Sequence, residues 1–136
     1  MKNIIFPKNL KKGDQIAIIS PAGFVEEASL QSTISLIKSK GYEAILGKNT
    51  LGKFENGYNY SGTEKERIQD LNWAFNNPEI SAIWASRGGY GCQHLLRHLK
   101  LSEFRENPKW YIGYSDNTVI NSYLLRSEER RVGKEC

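Results

Sequence analysis

Cysteine is scarce in this chain. Its 136 residues include two, Cys92 and Cys136. Two cysteines this far apart build no disulfide framework and have no metal-ligand spacing. Histidine is equally rare. His94 and His98 lie four apart and so share one helix face. Leu95 stands where the HExxH signature places a glutamate, so a zinc-peptidase helix is not indicated. Both histidines read as surface or half-buried packing residues, Cys92 reads as a small buried hydrophobe, and no metal or cofactor is expected. Long apolar runs are missing too. Pro7 and Lys8 cut the N-terminal MKNIIFPK far short of a signal-peptide core. No stretch approaches a membrane span. The net charge of +4 is mild, and Lys8, Lys11, Lys12, Lys38, Lys40, Lys48 and Lys53 are dispersed among acids. No basic run is interleaved with stacking aromatics, which argues against a nucleic-acid partner. The expected setting is cytoplasmic, with no membrane contact.

What is present is an alternation of strand and helix patterns in a chain of one-domain length. DQIAIIS (14–20) is a short apolar run closed by Pro21, Ala22 and Gly23, which reads as a buried strand. Leu30, Ile34 and Ile37 recur at helical spacing, and Gly41 supplies a stop. EAILG (43–47) is a second strand, followed by a polar, Gly-rich stretch that reads as a long loop. Thr63 and Glu66 form a capping box, and Ile68, Leu71 and Phe75 give that helix its buried face as far as Pro78. EISAIWAS (79–86) is a third strand, CQHLLRHL a short helix, KWYIGY (109–114) a fourth strand and DNTVINSYLL a fourth helix. Strands separated by helices predict a parallel sheet in an α/β layered domain. Ligands of such sheets bind at the carboxyl ends of the strands. Three unusual segments sit there: Ser20–Gly23, Arg87–Gly91 and Gly113–Asp116.

Ser115 lies at a tight strand-to-helix junction, Gly-Tyr-Ser-Asp-Asn. A serine so placed has its hydroxyl pushed out of the sheet and the next amides beside it, as in a nucleophile elbow. On spacing alone the plainer reading is an N-cap, or Asp116 does the capping. The segment RGGYG has two glycines whose missing Cβ lets backbone amides approach a ligand. It fits an oxyanion hole, a phosphate cradle or a plain tight turn. A phosphate- or nucleotide-binding module would want a Walker or Rossmann pattern after the first strand, and SPAGFVEEA holds one glycine and no Lys-Ser/Thr. A non-catalytic interaction domain would leave Ser115 dispensable.

Three stretches together resemble the LD-carboxypeptidases, serine peptidases of murein recycling. They are LKKGDQIAIISPAG, YSGTEKERIQDLNWAFNNPEISAIWASRGGYG and NPKWYIGYSDNT, and they span nearly all of residues 10–125. The resemblance implies a flavodoxin-like, class I glutamine amidotransferase-like parallel sheet with helices on both faces, here the N-terminal domain alone. It implies Ser115 as nucleophile and an oxyanion hole of the Asp116 amide with Gly88 or Gly89. Arg87, Tyr90 and Tyr114 would contact substrate. The implied substrate is a murein tetrapeptide, cut at the L,D-bond before its terminal D-Ala. A branch of the family cuts microcin-type peptidyl-nucleotides instead. The family's base, a His supported by a Glu, lies in a C-terminal domain that these residues do not match, so the chain by itself is expected to be inactive. The resemblance leaves room for a homodimer in the full-length enzyme. Asn117 stands where many members have Ile.

RSEERRVGKEC (126–136) breaks the helical pattern before it and ends on Cys136 without a cap. It resembles the conceptual translation of a short-read sequencing adapter. The expected organisation is an N-terminal domain over 1–125, an adapter-derived tail over 126–136 making few contacts with the core, and a C-terminal domain absent.

Overall fold

The computed structural model describes residues 6–55, 59–89, 91–113 and 115–133. Side chains of Glu55, Asn59 and residues 126–133 lie outside that description. Strand β1 (Gln15–Ile19) is the centre of the molecule. Ile16 to Ile19 are all buried, because a parallel strand covered on both faces needs apolar residues throughout. Helix α1 (Glu27–Ser39) leads to β2 (Glu43–Leu46), which pairs in parallel with β1. Gly41 ends α1 at φ 92°, its N–H donating to Lys38 O at 3.0 Å and that of Tyr42 to Ile37 O at 3.2 Å. This is a Schellman turn, which a glycine accommodates without Cβ strain. Helix α2 (Glu64–Asn76) opens on the expected capping box, with Glu66 N–H to Thr63 Oγ1 at 3.1 Å and Thr63 N–H to Glu66 Oε1 at 3.0 Å.

The remaining main strands are β5 (Ile80–Ala85) and β6 (Trp110–Ile112), and all four run parallel in the order β2-β1-β5-β6. From β1 the chain moves outward to β2 through α1, then back across β1 to β5 through α2. Right-handed crossovers in opposite directions put their helices on opposite faces. Accordingly, Leu30 and Ile37 of α1 pack with Ile16, Ile18 and Ala82 on one face. On the other face Leu71 and Phe75 of α2 meet Ile19, Ile83 and Leu95. Phe104 of α3 (Ser102–Glu106) and Ile120 and Leu124 of α4 (Thr118–Gly133) join them. The winding reverses between β1 and β5, so a crevice opens at their carboxyl ends.

Three details depart from the sequence reading and one specifies it. The stretch read as one long loop contains a short antiparallel pair, β3 (Phe54–Glu55) with β4 (Asn59–Tyr60), and Tyr60 bridges to Gly23. The short helix read at CQHLLRHL forms over Cys92–His98, and its type is 3₁₀. Helix α3 was not anticipated; it is one turn long and too short to show a period. Strand β6 is shorter than 109–114; Lys109 lies just before it and donates from Nζ to Ala74 O at 2.8 Å and to Asn77 O. The backbone of α4 runs unbroken to Gly133. The contacts expected of the tail fall on side chains outside the described residues. Among the described residues no helix is long and apolar enough to cross a membrane. His94 and His98 are both exposed.

Lys109 is a buried ammonium that caps the last carbonyls of α2, where the helix dipole favours a cation. Burial lowers its pKa from 10.5 to about 8. Between those values the unfolded chain binds the proton more tightly than the folded one, so stability contributed by this group rises with pH. Thermal unfolding of the chain and of Lys109→Met, followed from pH 7.5 to about 10.5, should show the unsubstituted protein gaining relative to the variant as pH rises. Parallel curves would show that Lys109 titrates as an ordinary lysine.

Candidate active site

Ser115 follows the carboxyl end of β6, and the loop Arg87–Gly91 follows that of β5. The two strands are paired neighbours, so both segments lie on one edge of the sheet. Ser115 has φ 61° and is the one non-glycine residue at positive φ among those described. A left-handed serine costs roughly 1–2 kcal/mol. It opens a 3₁₀ turn, Ser115–Asn117, that runs directly into α4. An N-cap residue has extended dihedrals instead, so the plain capping reading of Ser115 does not fit. Nor does Asp116 cap α4. Its Oδ2 accepts from the N–H of Cys92 at 2.7 Å, the first residue of the neighbouring 3₁₀ helix. The chain can make this turn because Gly113 has no Cβ: one added there would come 2.8 Å from Asn117 Cβ and 3.2 Å from Ala85 Cβ.

The glycine loop is tied down along its length. Asn117 Nδ2 donates to Arg87 O at 3.1 Å, Gly23 N–H to Gly88 O at 3.2 Å, and the Cys92 N–H to Asp116. Two of these three ties run to residues flanking Ser115. Gly89 and Gly91 adopt φ 133° and 108°, which an L side chain resists. Gly88 is buried and Gly89 exposed. The Arg87 side chain is exposed and donates through Nη1 to Phe24 O at 3.1 Å, linking this loop to the one after β1. Tyr90 and Tyr114, both expected at the substrate, lie outside the described residues. A cleft of about 290 Å³ opens beside the elbow on the α1 face, between Thr33, Trp84, Ser86 and Ile112.

Arg67 was missed in the sequence, where it looks like one more charge on an amphipathic helix. It is buried, with its guanidinium among the loops after β1, before α2 and after β5. Nη1 donates to Pro21 O at 3.1 Å and Gly91 O at 3.4 Å, and Nε to Gly62 O at 3.1 Å. The Tyr60 ring lies 4.5 Å from its central carbon. Burial lowers its pKa, opposed by charges that include Asp116, yet an arginine stays protonated. A fixed positive charge therefore sits behind the loops. Cys92, beside them, is a neutral thiol: burial and then the Asp116 carboxylate push its pKa up. That leaves it unsuited to nucleophilic attack. A fully buried carboxamide, Asn117, was also read only as a departure from a pattern. His98 Nε2 accepts from Arg97 Nε at 3.3 Å.

Gly113→Ala tests the elbow's dependence on close packing. The added methyl meets Asn117 and Ala85, and overpacking of this kind costs about 1–3 kcal/mol. Urea unfolding should show that loss, and a variant as stable as the parent would mean the turn has room to spare.

The chain and its fold have known relatives. Residues 16–130 match the family model described as the LD-carboxypeptidase N-terminal domain. A Synechocystis sp. protein named as a carboxypeptidase is 39% identical over 93% of this chain and 41% of its own length. The murein tetrapeptide carboxypeptidase of Pseudomonas aeruginosa is 36% identical over 82% of this chain and 36% of its own. The structure of the microcin C7 self-immunity protein MccF, known from Escherichia coli, in complex with aspartyl sulfamoyl adenosine superposes with a TM-score of 0.77. It is 32% identical over 86% of this chain and 35% of that one. The chain thus spans about two-fifths of the length of the relatives it matches. The matched residues include β1, β5, β6, the glycine loop and the serine elbow, and the chain belongs to the LD-carboxypeptidase family, whose N-terminal domain it represents.

Proposed function

We propose that this domain supplies the nucleophile and the oxyanion donors of a cytoplasmic serine-type LD-carboxypeptidase acting in murein recycling. The observation that carries the reading is the left-handed Ser115, held beside a glycine loop that is tied to its two following residues. A phosphate cradle has no use for a strained serine, whereas a nucleophile elbow requires one. Ser115 Oγ attacks the carbonyl of the L,D-bond before the terminal D-Ala of a murein tetrapeptide. Its proton passes to a base. The tetrahedral oxygen is held by the Asp116 amide and one from Gly88 or Gly89. Collapse breaks the C–N bond, the base returns the proton to the leaving D-Ala amine, and water then releases the acyl group from Ser115. Arg87, Tyr90 and Tyr114 are the residues proposed to contact the substrate. A peptidyl-nucleotide of the microcin type is the second reading, supported by the likeness to MccF.

The base is proposed to come from the portion of the family's length that this chain does not span. The uncovered side of the sheet supports such a partner. On the α1 face, Trp110 and Ile112 of edge strand β6 are 36% and 39% exposed, beside the half-buried Trp84. Apolar side chains grouped on a strand edge mark a surface that another element covers.

The test compares tetrapeptide cleavage by three proteins. One is the chain alone, one is residues 1–125 joined to the C-terminal portion of the Pseudomonas relative, and one is that fusion with Ser115→Ala. General-base assistance is worth ~10²–10⁴-fold, and an unactivated serine is a poor nucleophile. The fusion should release D-Ala; the chain alone and the Ser115→Ala fusion should not. Robust cleavage by the chain alone would mean the base lies within it. An active Ser115→Ala fusion would remove Ser115 from the chemistry.

A further inference from the structure

Asn117 lies behind the elbow with none of its surface exposed. Its Oδ1 accepts from the Tyr111 hydroxyl at 2.9 Å and from Cys92 Sγ at 3.6 Å, and its Nδ2 donates to Arg87 O at 3.1 Å. Burying a carboxamide costs free energy unless its bonds are made. Here they converge from three elements: β6, the 3₁₀ helix and the glycine loop. The tie to Arg87 has a geometric consequence. In a trans peptide the C=O and the next N–H point in opposite directions, and no peptide among the described residues is cis. With Arg87 O drawn in toward Asn117, the Gly88 N–H is turned away from Asn117. The following peptide is fixed the same way, because Gly88 O accepts from Gly23 N–H at 3.2 Å. Two adjacent glycines have no Cβ to restrict their dihedrals, so these ties stand in for the missing steric control.

We propose that Asn117 is a positioning residue. Its carboxamide sets the plane of the Arg87–Gly88 peptide and thereby selects the Gly88 N–H as the loop donor presented to the carbonyl oxygen of the substrate. The proposal rests on the nucleophile reading of Ser115 for its purpose, but not for its geometry. Asn117 takes no proton and touches no substrate; it acts through the peptide it orients.

Nuclear magnetic resonance on the isotopically labelled full chain tests this without any ligand. Two signals are read: the scalar coupling across the hydrogen bond from Asn117 Nδ2 to the Arg87 carbonyl carbon, and the one-bond N–H residual dipolar coupling of Gly88 in an aligned sample. The unsubstituted protein should show both the cross-bond coupling and a Gly88 N–H vector collinear with the clamped carbonyl. Absence of the coupling, or a vector that does not fit, overturns the proposal with no variant needed. Asn117→Asp keeps the acceptor for Tyr111 and loses the donor to Arg87. It should shift the Gly88 dipolar coupling while those of β1 and β5 hold. Tyr111→Phe keeps the donor and should leave Gly88 as it was. A Gly88 coupling unchanged in a folded Asn117→Asp protein also overturns the proposal. None of these signals depends on whether Ser115 reacts, so this failure and failure of the Ser115→Ala assay are separate results.

Discussion

A serine backbone held at φ 61° is the constraint around which the carboxyl edge is arranged. Left to itself that residue would relax into an ordinary well, since the strain is comparable to a hydrogen bond or two. The surroundings prevent this from both directions. Gly113 brings the end of β6 against Asn117 and Ala85 at a distance no other residue allows. Asp116 and Asn117 each bond to the neighbouring glycine segment. The elbow and the loop therefore hold one another.

Beneath them sits a buried cation. The bonds of Arg67 to Pro21, Gly62 and Gly91 join the loops after β1, before α2 and after β5. Without a side chain in that place the carbonyls of Pro21 and Gly62 would lose this donor, at roughly 1–3 kcal/mol each, while Gly91 O would keep the His94 N–H at 3.2 Å. A positive charge close under the loops also favours negative charge above them, since interactions there are screened less than in water. The fold and the proposed chemistry thus draw on the same residue: the group that closes the edge loops also biases the field at the site.

Much of this was legible in the sequence. The apolar run 16–19, the Thr63–Glu66 capping box and Gly41 each act through local rules, and each formed as read. The parallel sheet followed from the alternation of strands and helices, and the meeting of loops at one edge from the carboxyl-end rule; the order of the strands did not. What stayed hidden depends on contacts far along the chain. Arg67 is identical in sequence to a solvated helix charge until its partners 5, 24 and 46 residues away are known. Asn117 looks like a tolerated substitution until Tyr111, Cys92 and Arg87 are placed around it. The pair β3–β4 and the single turn of α3 are too short to carry a period.

The most direct measurement of Ser115's proposed role is covalent labelling. The domain, joined to the C-terminal portion of its Pseudomonas relative, is exposed to a fluorophosphonate and digested, and the modified peptide is identified by mass spectrometry. Phosphonylation confined to Ser115, with the buried Ser20 and Ser61 and the half-buried Ser86 untouched, is the expected result. Labelling at another serine, or none faster than that of an unactivated serine, would contradict a nucleophile at the elbow.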